Sequence, residues 1–279
     1  MLYALGAAAS IRFGITLNWG AYLLGQVVVT SIQLMGQYLN EYYDIEVDRL
    51  TAENRTWFSG GSGVLSVGSI TPAAVRYAAF ACASVALLIS ILASLESIWM
   101  IPIIILSLLG SWYYSSPPIS LMSSGWGEIT TSIIVALLVP LAGYCMQGGF
   151  PLGEFWWVCL PLLLVHISML ISFEFPDYKS DLSVGKNTLT VRLGLKNAVW
   201  VVTGLISSAF LFLIVQGVIS KSPGVWMVWT IPLAFWQIVL IHRIIKLPNR
   251  TNYYLLTTGG VALFVLMAFL ALLGFIFAN

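Results

Sequence analysis

The chain has 279 residues, of which 59% are hydrophobic and only 8% are charged. A soluble domain carries roughly 25% charged residues, so the composition excludes an ordinary soluble protein and indicates an integral membrane protein. A formal net charge of +1 gives no reason to expect a nucleic-acid partner. Cys82, Cys145 and Cys159 lie in apolar stretches without metal-ligand spacing, which argues against a disulfide framework and against a zinc site.

The first apolar segment, residues 1–12, is short. As a helix it would extend only about 18 Å, against a hydrocarbon core of about 30 Å. We therefore expect that the chain begins inside its first transmembrane helix. A signal peptide is the alternative, but no basic residue precedes the apolar run.

Eight longer apolar segments follow, each of about 20 residues. They run approximately over residues 17–40, 72–94, 97–115, 128–148, 153–175, 196–217, 223–243 and 253–277. With the first segment they predict an all-α bundle of nine transmembrane helices that forms a single domain over residues 1–279. Prolines inside several segments are compatible with kinks that do not end the helix.

Asn40, Asp44 and Asp48 end the second apolar segment at spacings of four. On a helix each step of four advances about 400°, so the three side chains stay within a stripe roughly 80° wide. Carboxylate and amide oxygens are ligands of hard divalent cations. The stripe is therefore a candidate metal site, with Glu41 and Glu46 pointing away from it as surface residues.

A second acidic cluster ends the sixth apolar segment. It contains Glu174, Asp177 and Asp181 and is followed by Lys186 and Arg192. Eight of the eleven acidic residues lie in the two clusters. Facing each other across a bundle, the clusters would form a cage for Mg²⁺, the cation that is usually held by one or two carboxylates and a substrate phosphate.

The basic residues predict the orientation of the bundle. If nine helices alternate in direction, ten of the twelve Lys and Arg residues fall on the face that carries both acidic clusters. By the positive-inside rule this face is cytoplasmic. We expect a multi-pass protein whose central cavity, and whose active site, open to the cytoplasm.

A metal-bound phosphate at the mouth of an apolar cavity implies a substrate with an anionic head and a hydrocarbon tail. Polyprenyl diphosphate has both. Arg55, Lys186 and Arg192 would bind the remaining phosphate oxygens, and an aromatic ring such as that of Tyr114 would shield an allylic cation. The glycine-rich run over residues 59–63 is either a phosphate-binding loop or a flexible connection.

The two acidic motifs resemble those of the UbiA superfamily of intramembrane prenyltransferases. The similarity rests on Asn40-x3-Asp44-x3-Asp48, on Asp177-x3-Asp181 followed by Gly-Lys-Asn-Thr-Leu, and on Tyr114-Ser-x-Pro-Pro, and it covers nearly the whole chain. The resemblance implies Mg²⁺-dependent transfer of a prenyl group to an acceptor. It makes Asp44, Asp48, Asp177 and Asp181 the catalytic metal ligands, with Asn40 binding metal and substrate.

Within the superfamily, Gly125-x-Gly127-Glu128 and Gln147-x-Gly149 look most like 1,4-dihydroxy-2-naphthoate prenyltransferases of menaquinone biosynthesis. The predicted partners are thus a polyprenyl diphosphate, an aromatic acceptor and membrane lipid. Glu128 would either hold or deprotonate the acceptor, or cap the fifth helix. Glu174 departs from the family pattern, since an Asn is common there, and the Arg-Pro region expected before the first helix is missing.

Other interpretations stay open. In the alternative interpretation, the acidic residues are ordinary solvated residues at a helix end, and the basic residues only set the membrane topology. His166 is then a hydrogen-bonded core residue rather than a proton acceptor. The acceptor is alternatively a phenol, a tetrapyrrole alcohol or a glycerol phosphate. A membrane transporter would place its acids near the bilayer midplane, and a CDP-alcohol phosphotransferase needs an Asp-Gly-x2-Ala-Arg run that this sequence lacks.

Overall fold

The computed structural model describes residues 1–50, 55–59, 61–65, 67–151, 153–219 and 222–277. Within these ranges the chain forms helices and connecting turns, with no β-strand. The all-α fold class predicted from the sequence is confirmed.

Ten helices are numbered here in chain order. They are α1 Leu2–Arg12, α2 Trp19–Tyr43, α3 Ile45–Leu50, α4 Pro72–Glu96, α5 Met100–Ser115, α6 Gly127–Cys145, α7 Glu154–Ser183, α8 Leu189–Ile219, α9 Pro223–Lys246 and α10 Arg250–Phe277. Every apolar segment predicted from the sequence overlaps one of these helices, and several helices extend beyond the predicted bounds. Helix α6 includes a π-helical turn over Ile134–Leu138, α9 starts as a 3₁₀ helix, and α8 is kinked at Gly194.

Six of the described helices, α4 and α6 to α10, are long and apolar enough to cross a membrane. Many large apolar side chains point outward from the bundle, among them Leu88, Val218 and Trp229, which are 66%, 84% and 82% exposed. An apolar outer surface of this extent requires a non-aqueous environment. The protein is a multi-pass membrane protein, while the count of nine spanning helices and the cytoplasmic opening stay predictions.

Capping residues in the sequence fix the starts of α2 and α4. Asn18 caps α2, its side chain accepting a hydrogen bond from the Ala21 backbone N–H at 3.1 Å. Thr71 caps α4 in the same way through the Ala74 N–H at 3.3 Å, with Pro72 at the first helical position. Both are residue types that satisfy an otherwise free N–H at a helix start.

Glycines allow α1 to lie directly against α6. A methyl group at Gly6 would fall on the backbone carbonyl oxygen of Pro140, and one at Gly143 would fall on the carbonyl oxygen of Tyr3. Small residues at helix crossings are the usual means of close packing in membranes, where lipid is as apolar as the side chains. This contact fixes α1 as one wall of the bundle.

A cavity of about 550 Å³ occupies the centre of the bundle. Its walls come from α1, α2, α5, α6, α7 and α10, and most of its lining side chains are apolar. Gln33, Gln37 and Asn40 form a polar strip along the α2 wall. Asn40 belongs to the first acidic motif, so the cavity leads to the predicted metal site.

The contact between α1 and α6 generates a stability prediction. We expect Gly6→Ala to destabilise the protein by about 1 to 3 kcal/mol, because the added methyl group meets backbone rather than a movable side chain. Thermal unfolding in detergent would measure the loss. Gly204→Ala is the matched control, since nothing lies within 4 Å of its added methyl group; equal melting temperatures for the two variants would contradict the packing argument.

Candidate functional site

The first acidic motif spans a break between two helices. Helix α2 ends at Tyr43, Asp44 adopts φ −98° and ψ 5°, and α3 begins at Ile45. The expectation that the motif lies on one uninterrupted helix is therefore wrong. The helical register survives nevertheless, because the Asp44 N–H donates to Asn40 O at 3.0 Å and the Asp48 N–H donates to Asp44 O at 2.9 Å.

Asp44 lies at the centre of a hydrogen-bonded set. Its Oδ2 accepts from Asn40 Nδ2 at 2.8 Å, and its Oδ1 accepts from Lys186 Nζ at 2.9 Å. Asn40 Nδ2 also donates to Ser115 Oγ at 3.1 Å. The ion pair of Asp44 and Lys186 is largely buried, with both side chains 12% exposed. A buried carboxylate of this kind needs a cation close by.

Lys186 connects the two acidic clusters. It follows α7 directly, and its backbone N–H donates to Asp181 O at 3.0 Å, which fixes the turn. Its ammonium interacts electrostatically with Asp48 and with the buried Asp181 in addition to pairing with Asp44. Asp181 also interacts with Asp44. The two clusters, far apart in sequence, therefore share one cation.

The cluster around α3 carries more negative charge than its local cations neutralise. Burial raises the pKa of Asp48 to about 7, reinforced by the charges of Asp44 and Glu41 and opposed by Lys186 and Arg55. Burial likewise raises the pKa of Asp44, although Lys186 and Asn40 act in the opposite direction. A bound divalent cation would favour the charged form of both carboxyl groups.

The donor set suits Mg²⁺ shared with a phosphate. Asn40, Asp44, Asp48 and Asp181 offer oxygen ligands, whereas the described residues include no group of three acidic, His or Cys side chains close enough to hold a metal by themselves. Mg²⁺ commonly takes one or two carboxylates and completes its shell with water and substrate phosphates. The residues present therefore fit the metal that the sequence predicted.

The described part of the glycine-rich run packs over this cluster. Gly61 lies against the Asp48 carboxylate and Gly63 against the Arg55 guanidinium, at positions where a Cβ atom would collide. Arg55 donates to Asp48 O at 3.1 Å. Glu41 is partly exposed, and it accepts from the backbone N–H of Ser62 at 3.2 Å and from its hydroxyl group in exposed hydrogen bonds. Gly60 and Glu53 lie outside the described residues.

The turn between α5 and α6 closes another side of the site. Tyr114 lines the cavity and interacts electrostatically with Asp44 and Asp181. The Asn187 N–H donates to Ser123 O at 2.9 Å, which joins this turn to the segment after α7. Arg192 is exposed and lies beside Gly125.

The structure thus brings together most of the predicted residues, but not all of them. Arg192 lies beside Gly125 in the turn after α5, and Asp177 lies one helical turn before Asp181 on α7. Glu46 is a surface residue as predicted and pairs with Arg49 at 3.0 Å. His166 is a core residue, 4% exposed and 2.8 Å from Ser132 Oγ.

The contacts of Glu174 were not predicted from the sequence. Its side chain is in hydrogen-bonding contact with that of Glu128, which lies in the first turn of α6 and is 3% exposed. Glu174 precedes Asp181 by seven residues, two helical turns, and that spacing already puts both carboxyl groups on one face. The contact with Glu128 has no sequence signal, because it depends on how α6 crosses α7.

Comparison with known proteins identifies the family of this chain. A family model described as the UbiA prenyltransferase family matches residues 1–257. The chain belongs to the UbiA prenyltransferase family. The resemblance inferred from the acidic motifs is confirmed, and so is the enzyme class, a prenyltransferase.

Two curated relatives of this prenyltransferase differ in their acceptors. The chain is 27% identical over 249 residues to digeranylgeranylglyceryl phosphate synthase of Sulfurisphaera tokodaii, covering 85% of this chain and 81% of the relative. It is 22% identical over 197 residues to 1,4-dihydroxy-2-naphthoate octaprenyltransferase of Bacillus subtilis, covering 70% and 62%.

Solved structures share the fold of this prenyltransferase over almost its full length. A digeranylgeranylglyceryl phosphate synthase superposes with a TM-score of 0.68 at 18% identity, covering 99% of this chain and 92% of that one. A UbiA homolog from Archaeoglobus fulgidus, bound to GPP and Mg²⁺, superposes with a TM-score of 0.65 at 17% identity, covering 98% and 95%. At this identity the likeness establishes the fold.

The packing of the glycine-rich run makes a prediction about the acidic cluster. We expect Gly61→Ala to raise the Mg²⁺ concentration needed for half-maximal activity at least 10-fold, because the methyl group displaces the Asp48 carboxylate. Titrating activity with Mg²⁺ would measure the change.

Gly68→Ala is the matched control for backbone strain. Gly68 has φ +71°, close to the +65° of Gly61, yet nothing lies within 4 Å of its added methyl group. Both variants incur the roughly 1–3 kcal/mol cost of a left-handed non-glycine residue. A Mg²⁺ requirement raised equally in both variants would assign the effect to strain and not to Asp48.

Proposed function

We propose that this protein catalyses Mg²⁺-dependent transfer of a polyprenyl group from an allylic diphosphate to an aromatic acceptor. The observation that carries the proposal is the position of Lys186, which connects the two acidic clusters at the mouth of an apolar cavity in a chain of the UbiA family. The diphosphate would lie at the clusters and the hydrocarbon tail in the cavity.

The residues divide into metal ligands and phosphate ligands. Asn40, Asp44, Asp48, Asp177 and Asp181 would hold Mg²⁺, which supplies electrostatic stabilisation of the leaving diphosphate. Lys186 and Arg55 stand beside these acids and would bind further phosphate oxygens. Arg192, at the mouth of the turn after α5, would meet the diphosphate from the outside.

The cavity would protect the reacting carbon from water. Its lining is largely apolar, and Tyr114 lies where the cavity meets the acidic clusters. The ring of Tyr114 would face the allylic carbon as its bond to the diphosphate breaks, since aromatic faces stabilise cations. Glu128, which lies in the first turn of α6 and interacts electrostatically with Tyr114, would contact the acceptor.

The acceptor that the turn motif supports is 1,4-dihydroxy-2-naphthoate, which would place the reaction in menaquinone biosynthesis. Gly125-x-Gly127-Glu128 carries this proposal, together with the similarity to the Bacillus subtilis enzyme. A glyceryl phosphate acceptor is the second candidate, favoured by the higher identity and coverage of the Sulfurisphaera tokodaii synthase. On either reading we place the active site on the cytoplasmic side, since the basic residues concentrate there.

An acceptor panel tests the proposal. Purified protein would receive Mg²⁺, radiolabelled geranylgeranyl diphosphate, and in separate reactions 1,4-dihydroxy-2-naphthoate, 4-hydroxybenzoate or geranylgeranylglyceryl phosphate. Labelled product with the naphthoate alone would support the menaquinone acceptor, whereas product with the glyceryl phosphate alone would replace it. Failure to form a covalent product or release diphosphate with any acceptor would overturn the proposed reaction.

The acidic residues supply the mutational test. Asp44→Ala and Asp177→Ala should each lower transfer by at least 10²-fold, because each removes a metal ligand on which stabilisation of the leaving group depends. Transfer rates of folded, membrane-inserted variants would be compared with that of Glu46→Gln, which changes an exposed acid near the site. Near wild-type turnover in either aspartate variant would refute its role.

A further inference from the structure

Glu128 and Glu174 form a buried carboxyl pair beside the diphosphate site. Their side chains are in hydrogen-bonding contact, and Glu174 Oε2 also accepts from the Thr190 backbone N–H at 2.9 Å. The pair is therefore held by three helices, with Glu128 on α6, Glu174 on α7 and Thr190 at the start of α8. Its geometry does not depend on a flexible surface loop.

Two carboxyl groups in such contact hold a proton between them. Two neighbouring charges in a buried site repel strongly, so one group stays protonated while the other is ionised. The pair thus carries one negative charge and one proton in its resting state.

Glu128 has one buried oxygen, Oε2, that accepts no hydrogen bond from an N–H or hydroxyl group among the described residues. A buried oxygen without a partner is costly, and native structures rarely keep one without a reason. A substrate group that donates a hydrogen bond would remove this cost.

The pair interacts with a residue of the cavity wall and with a residue of the second acidic cluster. Tyr114, which lines the cavity, interacts electrostatically with both Glu128 and Glu174. Thr131 and Leu170, each about one helical turn from a member of the pair, line the cavity as well. At the other end Glu128 interacts with Asp181 of the second acidic cluster.

We propose that the Glu128–Glu174 pair accepts the proton that the acceptor loses on prenylation. This inference rests on the proposed prenyl transfer. The bond between the allylic carbon and the diphosphate oxygen breaks, and its electron pair leaves with the diphosphate. The acceptor's nucleophilic atom bonds to that carbon and releases its proton to the ionised member of the pair, so that both carboxyl groups are then protonated.

The test separates bond cleavage from transfer. Wild-type protein, Glu128→Gln and Glu174→Gln would be incubated with Mg²⁺, geranylgeranyl diphosphate and whichever acceptor gives product with wild type. Diphosphate release, prenylated product and free prenyl alcohol would each be measured. We expect diphosphate release within 3-fold of wild type, at least 10²-fold less prenylated product for Glu128→Gln, and a correspondingly larger share of alcohol.

The double variant and the controls make the result specific. If the two glutamates act as one unit, Glu128→Gln combined with Glu174→Gln should be no slower than Glu128→Gln alone within 3-fold, whereas independent structural defects would multiply. Glu128→Asp should recover part of the transfer, and Glu96→Gln, at an exposed helix end, should match wild type.

Each failure has a distinct meaning. A ratio of product to released diphosphate that is unchanged in folded Glu128→Gln and Glu174→Gln would overturn the pair as proton acceptor and assign that role to the departing diphosphate. If wild type itself released no diphosphate, the proposed function would fail before the pair was tested. Should Glu128→Gln not fold, Glu174→Gln and Glu128→Asp still decide the question.

Discussion

The neutralisation of buried carboxylates is the constraint on which this molecule depends. Asp44 and Asp181 are both buried at the ends of apolar helices, and isolated charges there would be strongly unfavourable. Lys186 reduces this cost for both, since it pairs with Asp44 at 2.9 Å and interacts with Asp181. The ends of α2 and α7 are thereby brought to one place, and the site exists because their charges need a common partner.

The same constraint explains the surroundings of the site. Gly61 and Gly63 allow backbone to approach Asp48 and Arg55 where a side chain would not fit. Glu41 anchors this loop through Ser62, and Ser115 anchors the end of α5 through Asn40. The polar groups at this end of the bundle are therefore connected to one another, while the opposite end of the cavity is built from close apolar packing around Gly6 and Gly143.

The helices and the composition of the site could be predicted from the sequence because both depend on local patterns. Apolar runs near 20 residues locate helices, and spacings of four locate carboxylates on one face. What could not be predicted depends on tertiary packing. The break at Asp44 preserves the hydrogen-bond register and so leaves no trace in the spacing. Glu41 and Glu174 gain their partners from a loop and from a crossing helix, neither of which a one-dimensional pattern contains.

The position of the Arg192 side chain was also not predictable from the sequence pattern. Its sequence context after Lys186 suggested a phosphate ligand, which stays a prediction, but that context gave no sign that its side chain lies against Gly125 in the turn after α5. The direction of a side chain after an irregular turn is set by backbone angles such as φ +75° at Gly185, which spacing arguments do not include.

The size of the central cavity bears on how a long isoprenoid is accommodated. A cavity of about 550 Å³ holds only a limited length of hydrocarbon chain. The distal carbons of a longer isoprenoid would then extend beyond the cavity. For such substrates the lipid acyl chains around the bundle would form the outer part of the binding pocket.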